Sequence, residues 1–240
     1  MDLGKSNPAS LRRYMFRKFL RTFAGILLIP IAIGTGQAFY AMVSNISIFS
    51  GILYLLERGV LLYLLIHVLV FRPVYLYVLG HEFVHVLATW LCGGKIVSFN
   101  VSPSGGNVVT SKTNVFIELS PYFIPIYTIL LGPIFLLLEA VGREPRFMPE
   151  VFIFFVGFTL AFHFSMTSEA LRIQQPDIVK SGLIFSMVLI FVGNLVIIMA
   201  VFCPLFDSLS FVNFVEDSMS KSSEIYCLIY GKILKLVNVI

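Results

Sequence analysis

"VLGHEFVHVL", residues 78–87, sets two histidines and a glutamate in the middle of an apolar run. Ionisable side chains are costly in lipid and rare there unless they pair or carry a function. On a helix, His81 and His85 stand one turn apart and point the same way. Both imidazoles can therefore hold one metal ion, and zinc takes histidine nitrogens at about 2.0–2.1 Å. Glu82, beside the first histidine, is angled to reach a water at the open metal position. The ion draws the pKa of such a water toward about 7, and a carboxylate can take its proton as it attacks a carbonyl. H-E-x-x-H is thus the pattern of a zinc-hydrolase helix, and each residue has a mechanical reason. The rival reading is a structural polar cluster, with Glu82 bonded to a neighbouring helix and the histidines to carbonyls.

The surroundings of the motif are those of a membrane protein. The chain is 58% hydrophobic and 12% charged, whereas a soluble domain carries about 25% charged residues. Such a chain cannot cover itself with polar surface. Residues 22–56, 119–138 and 181–206 contain no Asp, Glu, Lys or Arg, and a span needs about 20 apolar residues. The expected fold is an all-α polytopic membrane protein of about six transmembrane helices, at 22–43, 51–71, 73–92, 117–139, 150–172 and 181–205. Pro121, Pro125 and Pro133 predict that the fourth is bent or broken. No internal repeat or long linker divides the chain, so residues 1–240 read as one domain. Residues 1–21 form a basic interfacial segment, 73–200 the catalytic core and 207–240 a second interfacial segment. The apolar stretch after Arg21 is too long for a cleaved signal peptide and reads as a retained span. Cys92, Cys203 and Cys227 are scattered and form no disulfide or zinc framework.

After the motif helix, "GGKIVSFNVSPSGGNVVTSK", residues 93–112, changes period from helical to two. Val97, Phe99 and Val101 alternate with Ser98, Asn100 and Ser102, Pro103-Ser104-Gly105-Gly106 supplies a turn, and Val108 to Thr110 return. This predicts a small β-hairpin over 95–111. It is either a plain connector or an edge that pairs with an extended peptide, in which case Val97, Phe99 and Val101 are substrate-binding candidates. Asn194, in the sixth span, either binds a substrate carbonyl or bridges helices.

A multi-span chain with H-E-x-x-H inside a membrane helix, a Gly-rich hairpin just after it and a later Asp-bearing segment resembles the site-2 protease family of intramembrane zinc metalloproteases (M50-type). The resemblance covers roughly residues 73–200. It implies Zn²⁺ held by His81, His85 and a distant aspartate, with Glu82 as general base. It also implies a multi-pass protein of a bacterial inner (cytoplasmic) membrane, acting on a membrane-anchored protein substrate in regulated intramembrane proteolysis. The bilayer is the other expected partner; nucleic acid is not one, and no oligomeric state follows. The family's Leu-Asp-Gly motif is absent here. Pro176-Asp177, opening the sixth span, matches in residue type and in its place at a helix start. His163, about thirteen residues into the fifth span, is the rival third ligand, since Asp177 would lie some 20 Å further along a straight helix. Asp177 reaches the ion only if residues 173–177 unwind into the protein. His163, Thr167, Gln174 and Asp177 recur at helical spacing as a polar stripe.

Topology sets up a conflict. The count of Lys and Arg places the N-terminus inside, which puts the hairpin, Arg172 and Lys180 outside. The resemblance places hairpin and site on the cytosolic side. Either one of the first two hydrophobic runs stops short of crossing, the second being singled out by Glu57 and Arg58, or the arrangement is inverted. Other function classes for the same histidines are a metal-ion transporter, a haem- or metal-binding membrane protein, and an inactive protease-like scaffold.

Overall fold

The computed structural model describes residues 8–142, 148–173 and 176–237. The order is α1 (Pro8–Val43), α2 (Gly51–Leu69), α3 (Val74–Leu91), β1 (Ile96–Ser102), β2 (Gly105–Thr110), α4 (Val115–Leu119), a 3-10 turn (Ser120–Tyr122), α5 (Ile126–Ala140), α6 (Met148–Arg172), α7 (Pro176–Ser181), α8 (Leu183–Phe202) and α9 (Phe211–Val237). Among the described residues, five helices are long and apolar enough to cross a membrane: Lys18–Val43, Gly51–Leu69, Val74–Leu91, Met148–Arg172 and Leu183–Phe202. The expected fourth span is two pieces, Val115–Tyr122 and Ile126–Ala140, meeting at 76°. Pro121 lies in the 3-10 turn and Pro125 caps α5, and neither has the N–H that a continuous helix needs. The hairpin is antiparallel, with Phe99 opposite Val108 and Ser102 opposite Gly105, and a register shift between Ile96 and Ser98.

Small residues set the closest helix pair. A Cβ built on Gly157 would collide with the Leu56 carbonyl, and one on Gly59 with the Phe154 carbonyl. The α2 and α6 backbones therefore touch directly, the arrangement small residues permit where lipid offers no hydrophobic drive. Gly157→Val is expected to force these backbones apart and destabilise the fold by roughly 1–3 kcal/mol, the usual cost of overpacking. Thermal unfolding in detergent measures this, and an unchanged midpoint would argue against the contact.

The contacts also fix which helix ends lie together. Tyr63 packs on Phe158 and Phe162, and His67 meets Glu169 further along, so α2 and α6 run parallel. Gly25 abuts Phe185, Arg21 donates to the Lys180 carbonyl, and Ala38 shares a core with Met199, so α1 and α8 are parallel too. One end of the bundle thus gathers Arg21, Lys180 and the Arg72–Glu169 ion pair (3.0 Å). The opposite end gathers Val43, Ile52, Phe152 and Phe202.

This arrangement removes the topological conflict. The second run is a full helix, Gly51–Leu69, despite Glu57 and Arg58. The departure lies further on. α3 enters from the Arg72 end, and α5 starts at mid-height, with Tyr127 against Phe162, and leaves at the far end, with Phe135 against Phe152. The α3–hairpin–α4–α5 stretch therefore starts at the Arg72 end and leaves at the far end. Arg172 and Lys180 move to the end that carries Arg21. The hairpin belongs to that same end, because β2 and Lys180 line one cleft.

The terminal segments, expected as interfacial pieces, belong to long helices. Residues 8–43 are one helix, so the basic stretch before Arg21 leads without interruption into the first span. α9 packs lengthwise and antiparallel along α1: Phe214 shares a core with Ala38, Ser222 abuts Gly34, and the Tyr226 hydroxyl donates to the Leu27 carbonyl.

Candidate metal centre

α3 carries the two histidines on one face, with ring centroids 5.0 Å apart. The short helix α4 orients the second. Asn114 caps α4 by accepting from the Ile117 amide at 2.8 Å, and the Ile117 carbonyl lies 2.7 Å from His85 Nδ1. A carbonyl only accepts, so Nδ1 carries the proton and Nε2 keeps its lone pair free. This is the outer support that metal-binding histidines ordinarily have.

That free Nε2 faces Asp177 Oδ2 at 3.7 Å. The aspartate gets there because α6 stops at Arg172 and Pro176 opens a new helix, α7, with Asp177 in its first turn. Gly182, at φ +88°, then lets the chain turn into α8, a conformation that L side chains rarely adopt. The helix break thus replaces the 20 Å separation of a straight helix. His81, His85 and Asp177 each offer a ligand atom, and these atoms lie within 4.8 Å of one another. A tetrahedral zinc holds neighbouring ligand atoms about 3.3 Å apart, so small side-chain movements would close the set on an ion. Burial pushes the Asp177 carboxyl above its usual range, while the His85 ring and the Lys180 ammonium pull it down.

Glu82 is buried, 8% exposed, and lines the same cleft as both histidines and Asp177. The Gly106 backbone lies directly against it: a Cβ at 106 would sit 2.7 Å from Oε1 and closer still to Cγ. Gly106→Ala is expected to leave the fold intact, because the displaced atoms belong to a flexible side chain, and to swing Glu82 aside. Misplacement by about 1 Å can cost 10²-fold in rate, and metal content should not change. Turnover and metal content measured on the same preparation test this.

The cleft has a volume of about 510 Å³. Its wall opposite α3 is β2, residues Gly106 to Thr110, and Glu118 and Lys180 complete the rim. Val97, Phe99 and Val101 lie on β1 and are not among the lining residues, so the strand that faces the site is the other one. Asn194 is also away from the cleft. It donates to the Tyr122 carbonyl at 3.1 Å and to its own helix at Ile190, 2.8 Å, tying α8 to the 3-10 turn. His163 lies on the other side of His81, where both line a cavity of about 20 Å³ with Tyr77. Asp177, not His163, stands with His81 and His85 in the group that could hold a metal ion. Thr167 is buried on α6 near Tyr77, and Gln174 falls outside the described residues.

Sequence reasoning missed Gly106, Glu118 and Lys180. Glu118 carried a signal, since it borders the charge-free run 119–138. In the structure it accepts from Ser181 and from Thr113 (3.1 Å), fastening α7 to α4 beside the site. Gly106 carried none, because a glycine in a predicted turn already has a reason to be there.

Comparison of the chain with models of protein families, with curated proteins and with solved structures finds no match. Fold and site alone define the class: a largely helical chain, with helices long and apolar enough to cross a bilayer, built around two histidines and an aspartate able to hold a metal ion.

Proposed function

We propose that the protein is an integral membrane zinc endopeptidase of the site-2 protease kind, hydrolysing a peptide bond in or beside a transmembrane segment of a membrane-anchored protein. The observation that carries this reading is the meeting of Glu82, His81, His85 and Asp177 in one cleft walled by a β-strand. A rival structural cluster would account for the His85–Asp177 pair, but it gives a buried Glu82, pressed under Gly106, no role. Two imidazoles and a carboxylate form a set that catalytic zinc uses and that ferrous iron also takes; the H-E-x-x-H placement of Glu82 beside them favours zinc.

Held by these three side chains, a zinc ion supplies Lewis acidity to a peptide carbonyl and to water. Glu82 takes the proton of the attacking water and returns it to the leaving amide nitrogen, one group serving as base and then acid. β2 offers its edge to the substrate. A peptide bond within a helix hides its carbonyl, so the segment must unwind before attack, and a strand edge can hold it extended. Lys18, Arg21, Arg72, Arg172 and Lys180 gather at the cleft end, five against the two, Arg143 and Arg146, that the sequence puts between α5 and α6. By the positive-inside rule the cleft opens to the cytosol.

The test is cleavage of a transmembrane reporter by purified protein in liposomes. A zinc chelator is expected to abolish cleavage and added zinc to restore it. Cleavage that survives complete removal of the metal would refute the proposal.

A further inference from the structure

We propose that copies of this chain associate side by side in the membrane, α2 of one against α9 of the next, through Arg58 and the Glu216–Asp217 pair. The inference rests on the membrane reading above, though not on the protease activity. It starts from the depth of α9. That helix packs on α1 between Leu27 and Ala38, inside the Lys18–Val43 span, so its first half lies at bilayer depth. Phe214 and Ser222 face inward and are buried. Helical geometry sends Asn213, Glu216, Asp217, Ser220 and Glu224 to the opposite side, where all five are exposed. None of the three carboxylates has an ion-pair partner among the described residues. Charges facing lipid at such depth are costly, and side chains of this kind normally face protein or water.

The complement is on the same chain. Glu57 and Arg58 are the only Asp, Glu, Lys or Arg residues of α2, and both are exposed. The Arg58 guanidinium rests 4.3 Å over the Tyr54 ring and meets no carboxylate among the described residues. α2 and α9 both start from the far end of the bundle. At 1.5 Å per residue, Arg58 lies about 10 Å in from Gly51, and Glu216 and Asp217 about 8–9 Å in from Phe211. Cation and anions are therefore level. α2 packs mainly on α6 and α9 on α1, and no ion pair joins Arg58 to Glu216 or Asp217 among the described residues, so the pairing is left to a second copy. A two-fold contact through α9 alone would set its carboxylates against each other. A head-to-tail contact pairs opposites, and it closes into a ring or continues as a row.

The experiment is the mass of the full chain in nanodiscs, with alkaline extraction of membranes run on the same variants. Wild type is expected at a multiple of 27.0 kDa. Arg58→Glu is expected to fall to one copy, as is the double variant Glu216→Lys with Asp217→Lys. Joining all three substitutions in one chain is expected to restore the assembly, which a merely misfolded protein would not do. A wild type that stays in the membrane after alkali yet measures as one copy would overturn the inference alone. So would an assembly indifferent to both reversals. Release of the protein by alkali would overturn the membrane reading and this inference with it.

Discussion

Glu82→Gln is expected to lower cleavage of a transmembrane reporter by about 10²–10⁴-fold, the range that a positioned general base contributes, while zinc content stays at the wild-type level. The two halves follow from different atoms. The amide is nearly the same size as the carboxylate, so the packing against Gly106 survives, and the ligand set His81, His85 and Asp177 is untouched. What disappears is the buried carboxylate next to His81 that would accept a proton from water and hand it on. Paired assays of turnover and metal content read both quantities. A transporter or scaffold built on the same histidines would lose little with this change, so the variant separates the function classes.

Asp177→Asn is expected to lower metal affinity by more than the 10–100-fold that loss of an outer-shell partner costs, and activity with it. The substitution keeps the shape of α7 and the contacts of Ser181 with Glu118, while removing the one negative charge that the set offers a divalent ion. His163→Ala provides the contrast. That ring lies on the far side of His81 and outside the ligand set, so the variant should keep its metal. Zinc titration of the three proteins measures the difference. Loss of metal from the His163 variant with retention in the Asp177 variant would exchange their roles.

Much of this architecture is legible in the sequence, and for identifiable reasons. A four-residue spacing on an apolar helix puts His81 and His85 on one face whatever surrounds them. Run length marks the long helices, and Pro121 with Pro125 marks the break between α4 and α5. The hairpin shows in its alternation, but a period of two distinguishes faces of a strand, not edges, so it could not tell that β2 rather than β1 lines the cleft. The choice between Asp177 and His163 depended on where α6 ends, and the Pro176 that ends it is equally compatible with a helix that merely pauses. The relation of α3 to α5 was not legible, because α3 is long and apolar on its own while α5 has 15 residues and follows a sharp bend. Contacts such as Gly80 with Tyr127 show that α3 and the start of α5 meet at mid-height. The charged residues of α9 made it read as a surface helix, whereas its packing comes from Gly34 and Ser222, small residues with no periodic signature.

The central claim is that two imidazoles and a carboxylate on this chain hold zinc. X-ray absorption at the zinc edge of the purified wild-type protein tests it most directly. The expected spectrum has nitrogen and oxygen ligands at about 2.0–2.2 Å, includes imidazole scattering and lacks a sulfur shell near 2.3 Å. A protein that binds no zinc, or one whose zinc is held by cysteine sulfur, would contradict the account.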